Sequence, residues 1–196
     1  MTRLRNICVY CGSSSGSDPA HIETARTLGQ ELVQRDIGLV YGGSSLGIMG
    51  AVADTVLEHG GRAVGVIPRV LATREIAHAG LTELLVVESM HERKAKMAML
   101  ADGFVALPGG LGTAEELFEI LTWAQLGLHG KPCGILNSNG YYDKLISFID
   151  HAVEQQFVKL IHRQMLVTAT SADELLDKFV DYRPPEVPKW IHQEQT

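Results

Sequence analysis

The sequence predicts an α/β fold: a Rossmann-like, doubly wound parallel sheet with helices on both faces. Three observations carry this. Short apolar, β-branched runs alternate along the chain with longer segments of helical period, which is how strands joined by crossover helices read. Three of the run-to-helix junctions are rich in glycine, at the end of a parallel sheet where ligands bind. Finally, 196 residues, 45% hydrophobic and 20% charged, suffice for one compact domain with a real core and are too few for two comfortable ones. The expected organisation is a single nucleotide-binding domain over residues 1–182 and an extended tail over 183–196, which holds three of the seven prolines.

The elements follow in order. Ile7–Cys11 is the first apolar run and the first strand. Asp18 precedes Pro19, a normal start for a helix that runs to Arg35. Leu39–Tyr41 is the second strand, and Gly47–Glu58 the helix after it. Ala63–Ile67 and Leu84–Val87 supply two more strands, with a helix over Met90–Ala101. Phe104–Leu107 precedes a helix over Ala114–Gly127, and Gly134–Leu136 one over Tyr142–Gln155. Met165–Thr168 is a seventh strand, before a last helix over Ala172–Asp181.

Several function classes are set aside by composition. Seventeen basic against twenty-three acidic side chains leave a net charge of −6, so the molecule repels polyanions and no nucleic-acid partner is expected. The apolar run Ile7–Cys11 is too short for a secretory segment or a membrane span, and no membrane partner is expected. Three cysteines give no disulfide framework and suit a reducing, cytoplasmic setting. Cys8 and Cys11 have C-x-x-C spacing, but residues an odd number apart in a strand face opposite ways and no second pair follows. Glu75 and His78 lack the repeat that a dimetal bundle needs, so no metal site and no cofactor is proposed.

The glycine loops are Cys11-Gly12-Ser13-Ser14-Ser15-Gly16, Gly42-Gly43-Ser44-Ser45-Leu46-Gly47-Ile48-Met49-Gly50 and Pro108-Gly109-Gly110-Leu111-Gly112-Thr113-Ala114-Glu115-Glu116. Backbone N–H groups left accessible by glycine, beside a helix N-terminus, make a phosphate site; Gly12, Ser13, Gly43 and Ser44 are its candidates in the first two loops. A dinucleotide is excluded in detail, because the first turn is not G-x-G-x-x-G and the second strand ends without an acidic residue for the ribose. No G-K-[ST] follows any loop. One phosphate remains, on a mononucleotide or a sugar phosphate.

Two segments add charged groups. Thr113 and Glu116 have the spacing of a capping box; equally, the Glu116 carboxylate would lie beside a phosphate bound at the same loop. In Ser89-Met90-His91-Glu92-Arg93-Lys94, Ser89 and Glu92 also have capping-box spacing. The inward stripe of the helix they start is Met90, Met97, Leu100 and Ala101, and Arg93 and Lys94 fall on it. Cations there oppose both the helix dipole and desolvation. They either snorkel to solvent or meet an anion, a phosphate or an active-site carboxylate, and the anion is the favoured reading.

From about Arg5 to about Val180 the chain resembles the lonely-guy family of cytokinin riboside 5′-monophosphate phosphoribohydrolases, formerly labelled possible lysine decarboxylases. The family motif P-G-G-x-G-T-x-x-E is present without departure at Pro108–Glu116. Met90-His91-x-Arg93-Lys94 and Gly42-Gly43-Ser44…Gly47-x-Met49-Gly50 match further family elements in order and spacing. The resemblance implies hydrolysis of the N-glycosidic bond of adenosine 5′-monophosphates, N6-modified or plain, to free base and ribose 5-phosphate. It implies Arg93 and Glu116 as the catalytic pair. It implies substrate binding by Glu75, Arg93 with Lys94, the run Gly110, Leu111, Gly112, Thr113, Ala114, Glu115 and Glu116, and Thr122, with Met90 in the same motif as Arg93. Thr122 projects roughly 120° from Glu116 on an ideal helix, which places it at the pocket edge or in a site shared between subunits. A homodimer or larger assembly is implied too, and Trp123 and Leu126, off the stripe of Leu117, Ile120, Leu121 and Ala124, give that helix a second apolar face. The rival readings are a non-enzymatic nucleotide or cofactor carrier on the same scaffold and an interaction protein whose loops are only turns.

Overall fold

The computed structural model describes residues 4–72 and 77–186. Seven strands, β1 (Asn6–Tyr10), β2 (Gly38–Tyr41), β3 (Ala63–Pro68), β4 (Glu83–Val87), β5 (Gly103–Ala106), β6 (Cys133–Leu136) and β7 (Leu166–Ala169), form one sheet in the order β4-β3-β2-β1-β5-β6-β7. All six strand pairings are parallel. The helices are α1 (Ala20–Gln34), α2 (Gly47–Glu58), α3 (Arg69–Ala72), α4 (Met90–Leu100), α5 (Leu111–Gln125), α6 (Asp143–Glu154), α7 (Leu160–Arg163) and α8 (Ala172–Asp181). The single turns α3 and α7 are too short to show a period and were not expected from the sequence.

The sheet is doubly wound because its strands are apolar at successive positions and need cover on both sides. Leu28 and Leu32 of α1, Val52 and Val56 of α2 and Leu175 and Phe179 of α8 cover Ile7, Val9, Leu39 and Tyr41 on one face. Met97 of α4 and Ile120 of α5 cover Cys8, Tyr10, Val40 and Phe104 on the other, joined by Leu117, Tyr142 and Ile149 over Ala106 and Ile135. Cys8 and Cys11 accordingly lie in different cores, on opposite faces of the sheet.

Strand order grows outward from β1 to β4 and resumes beyond β1 with β5. The carboxyl ends of β1 and β5 are therefore the switch point where loops diverge and leave a crevice. To reach β5 from the edge strand, α4 crosses back over β3, β2 and β1, touching each. That crossing carries Arg93 to the switch point. It also leaves Met90, in the first turn above the sheet edge, about half exposed, so Met90 does not continue the inward stripe of Arg93, Lys94, Met97 and Ala101.

The helix starts differ in how they are capped. The Asp18 carboxylate accepts the Ala20 N–H at 2.9 Å, so the expected cap acts on a helix that begins at Ala20. Ser89 Oγ accepts the Glu92 N–H at 3.1 Å, while the Glu92 carboxylate returns to the Glu88 N–H at 2.8 Å, one residue before the amide of a standard box. At α5 the box is absent. The helix starts at Leu111 rather than Ala114, its cap residue is Gly110, and no side chain caps it. Thr113 lies inside the first turn, and Glu116 is turned inward and buried.

Candidate active site

The three glycine loops meet at the switch point. The Gly12 N–H donates to the Pro108 carbonyl at 3.0 Å, tying the first loop to the third, and the Met49 N–H donates to the Gly12 carbonyl at 3.2 Å, tying the second to the first. Gly47 has φ +57°, and a side chain there would strike the Ser13 backbone, so glycine is required both for the turn and for the approach. Two tyrosines hold the third loop from behind: Tyr141 Oη donates to the Gly109 carbonyl and Tyr142 Oη to the Leu107 carbonyl, each at 2.6 Å. Sequence reasoning missed this pair; its signal was Tyr-Tyr placed just past the end of a strand on the loop side of the sheet.

Gly110 and Gly112 are different from the packed glycines. A side chain at either would meet nothing within 4 Å, and neither has positive φ. No contact among the described residues explains them, and among those residues they border open space at an uncapped helix start. The first N–H groups of α5 have no helical acceptor, and the first backbone bond of the helix is Ala114 N–H to the Gly110 carbonyl at 3.1 Å. Leu111 is 91% exposed beside them. Such an end accepts an anion.

One turn below Gly112, on the same side of α5, is Glu116. Its Oε1 lies 3.2 Å from Nη1 of Arg93, and both residues are 7% exposed. Arg93 Nε also donates to the Val66 carbonyl at 3.1 Å. Arg93 thus meets a buried carboxylate rather than solvent. Burial pushes the Glu116 carboxyl up to about 6, against the attraction of Arg93. Arg93 lies against the carboxylate, and its attraction is outweighed by burial.

Lys94 turns to the other flank of the α4–α5 contact. Its Nζ donates to Glu115 Oε1 at 2.5 Å and Glu119 Oε1 at 2.9 Å. Burial pulls its ammonium down, but those two bonds outweigh burial and hold it above the usual lysine range. Adjacent cations on α4 therefore meet three carboxylates on α5, and the helices are clamped in one register.

Residues 49–179 match the family model described as "Possible lysine decarboxylase". The chain is 53% identical over 184 residues to the cytokinin riboside 5′-monophosphate phosphoribohydrolase LOG7 of Arabidopsis thaliana, a match covering 93% of this chain and 84% of that protein. The chain belongs to the LOG family. It is also 50% identical over 183 residues to LOG1 of the same plant, covering 93% of this chain and 86% of that one. Solved structures show the same fold at low identity. The molybdenum cofactor binding protein of Rippkaea orientalis has a TM-score of 0.70 at 18% identity, over 92% of this chain and 98% of that one. The molybdenum cofactor carrier protein of Chlamydomonas reinhardtii has a TM-score of 0.68 at 19%, over 92% and 100%.

In this LOG-family chain the expected site residues separate into groups. Arg93, Glu116, Gly110, Gly112 and Gly12 come together at the switch point, with Ser13 exposed on the first loop. Thr113 is buried against the bare Cα of Gly109, and Ala114 is half-buried behind it. Gly43 and Ser44 are turned to the returning chain instead: the Gly43 carbonyl accepts the His78 N–H at 2.9 Å, and Ser44 bridges Ala77. Lys94 and Glu115 bind each other. Thr122 lies on the exposed side of α5, its hydroxyl donating to the Phe118 carbonyl at 2.7 Å, and does not join Glu116 within one chain. Glu75 lies outside the described residues. Lys94, held as an ammonium by two carboxylates, does not offer the free amine that a pyridoxal-phosphate imine requires.

A carboxylate that titrates near 6 sets the pH response of any reaction needing its charge. kcat/KM reports groups of the free enzyme, so it should fall about tenfold per unit as pH drops below about 6 and level off above it. The measurement is kcat/KM between about pH 5 and pH 8; a value unchanged across 6 would remove the Glu116 carboxylate from the reaction.

Proposed function

We propose that this chain hydrolyses nucleoside 5′-monophosphates at the N-glycosidic bond, adding water across it to give free base and ribose 5-phosphate, with N6-modified adenine nucleotides, the cytokinin precursors, as the preferred class. The observation that carries this reading is the placement of the buried Arg93–Glu116 pair one helical turn below an open, uncapped helix end. The names of relatives about half identical over nearly the whole chain support it. A 5′-phosphate on the α5 N-terminus puts the ribose over Glu116. Cleavage passes through an oxocarbenium-like state, whose positive charge the carboxylate stabilises or traps. Arg93, fixed at Val66 and Glu116, keeps the carboxylate aimed. No cofactor is needed for this chemistry.

The active unit in this proposal is the single domain of residues 1–182, acting on a small-molecule nucleotide in the cytoplasm. Its three cysteines are free and buried, which suits a reducing compartment. Among the described residues no helix is long and apolar enough to cross a membrane. We also propose a homodimer through the α4–α5 flank. Trp123 and Leu126 are half-buried rather than facing water as expected. Trp123 lines a groove of about 640 Å³ with Met99, Phe104 and Leu128, and the large apolar groups left exposed on α4 and α5 are Met90, Met99, Leu111 and Phe118.

Incubation with a panel of nucleoside monophosphates, followed by chromatography for released base, tests the reaction. Glu116→Gln should abolish release while the protein still folds; release near the parent's rate contradicts the role of Glu116. Nucleotide binding with no base released would make the protein a carrier.

The phosphate should be used to place the ribose, since binding energy from a non-reacting group can lower the barrier at the reacting one. A charge-assisted phosphate site contributes about 3 kcal/mol, so kcat/KM for a nucleotide should exceed that of its nucleoside by about a hundredfold. Equal values would mean that the α5 end does not hold the phosphate. Light scattering at micromolar concentration should give a dimer mass or more, and a monomer mass counts against the proposed face.

A further inference from the structure

We propose that Gly42 is a positioning residue for the reaction: its bare Cα forms the wall against which the Arg93 guanidinium lies, and this contact aims Arg93 at Glu116. The proposal rests on the assignment of Arg93 and Glu116 as the reacting pair.

A β-carbon at Gly42 would overlap Nη2 of Arg93 and sit 3.3 Å from its Cζ, with Sδ of Met49 at 3.2 Å. The backbone itself does not demand glycine, because Gly42 is absent from the glycines with positive φ, unlike its neighbour Gly43 at +79°. Alanine is therefore compatible with the strand end, and side chains alone oppose it. Of these, the Met49 thioether is flexible and can yield. The guanidinium cannot, since Nε is engaged by the Val66 carbonyl and Nη1 by Glu116, and the residue is buried. Moving it off a new methyl group breaks one of those two contacts.

The consequence falls on Glu116. Its carboxyl already lies above the ordinary range because burial outweighs the attraction of Arg93. Drawing the guanidinium away weakens the opposing attraction, so the carboxyl should hold its proton to higher pH and lose its fixed direction. Gly42 touches neither ribose nor phosphate in this account; it acts through Arg93.

The test is a cycle of Gly42→Ala, Arg93→Ala and the double variant. Gly42→Ala should lower kcat at least about tenfold through misplacement and move the acid limb of kcat/KM upward by about one pH unit. It should also lower Tm when Arg93 is present and have no further effect once Arg93→Ala has vacated the slot. If Gly42→Ala is insoluble, the double variant should be as well folded as Arg93→Ala alone, and poorer folding than Arg93→Ala alone overturns the contact. Equal loss of Tm in both backgrounds overturns it as well. An unmoved acid limb alongside the expected Tm cycle makes Gly42 a packing residue and overturns the positioning role. Full activity of Arg93→Ala would instead overturn the catalytic pair, while the Tm cycle still reads the contact.

Discussion

A guanidinium and a carboxylate taken out of water must each find a partner, and the pairing of Arg93 with Glu116 is the constraint around which the site is built. Either charge buried alone would cost several kcal/mol, so α4 and α5 cannot slide past one another without exposing or orphaning one of them. The flanking contacts of Lys94 with Glu115 and Glu119 hold the same register from the partly exposed side. The sheet order makes this meeting possible: α4 leaves the edge strand and returns over three strands to the place where α5 begins.

The pair is poor evidence of stabilisation and better evidence of function. Glu116 titrates near 6, above its ordinary value of 4.5, so the folded protein binds that proton more tightly than the unfolded chain does. Its contribution to stability is fully present below about 4.5 and is lost as pH rises to about 6. At neutral pH the fold therefore carries an ionised carboxylate at some expense, close beneath a helix end with no cap of its own. A side chain that capped α5 would compete for the amides that an anion needs, and a side chain at Gly110 or Gly112 would stand in the space before them. Both features weaken the free protein locally, and both leave room for the phosphate of the proposed substrate.

The fold and much of the site were legible in the sequence because they depend on local pattern. Alternation of apolar runs with helical period marks buried parallel strands whatever their neighbours, and the seven strands and six longer helices lie within a few residues of their expected places. Glycines clustered after three strands marked the loop end of the sheet. Arg93 stood out because a cation on an inward stripe has to be explained by an anion. Thr113 and Glu116 misled for the same reason that local pattern works: their spacing suits a cap, and the cap failed to form because Gly109 and Gly110 let the helix start a turn earlier.

By itself the sequence determined the doubly wound class, the glycine-rich loops after three strands and the charged residues that needed partners, since periodicity, turn chemistry and desolvation act along the chain. Only the tertiary structure decided which partners those were. Strand order brought Arg93 to Glu116 and Lys94 to Glu115 and Glu119, sent Gly43 and Ser44 to the returning segment at Ala77 and His78, and set Thr122 on an outer face. It also separated glycines that are alike in sequence into those packed against a neighbour, Gly42 and Gly47, and those facing open space, Gly110 and Gly112. The physical reason is that a glycine's purpose, like a charge's partner, lies in what occupies the space beside it, and that space is enclosed by segments distant in the chain.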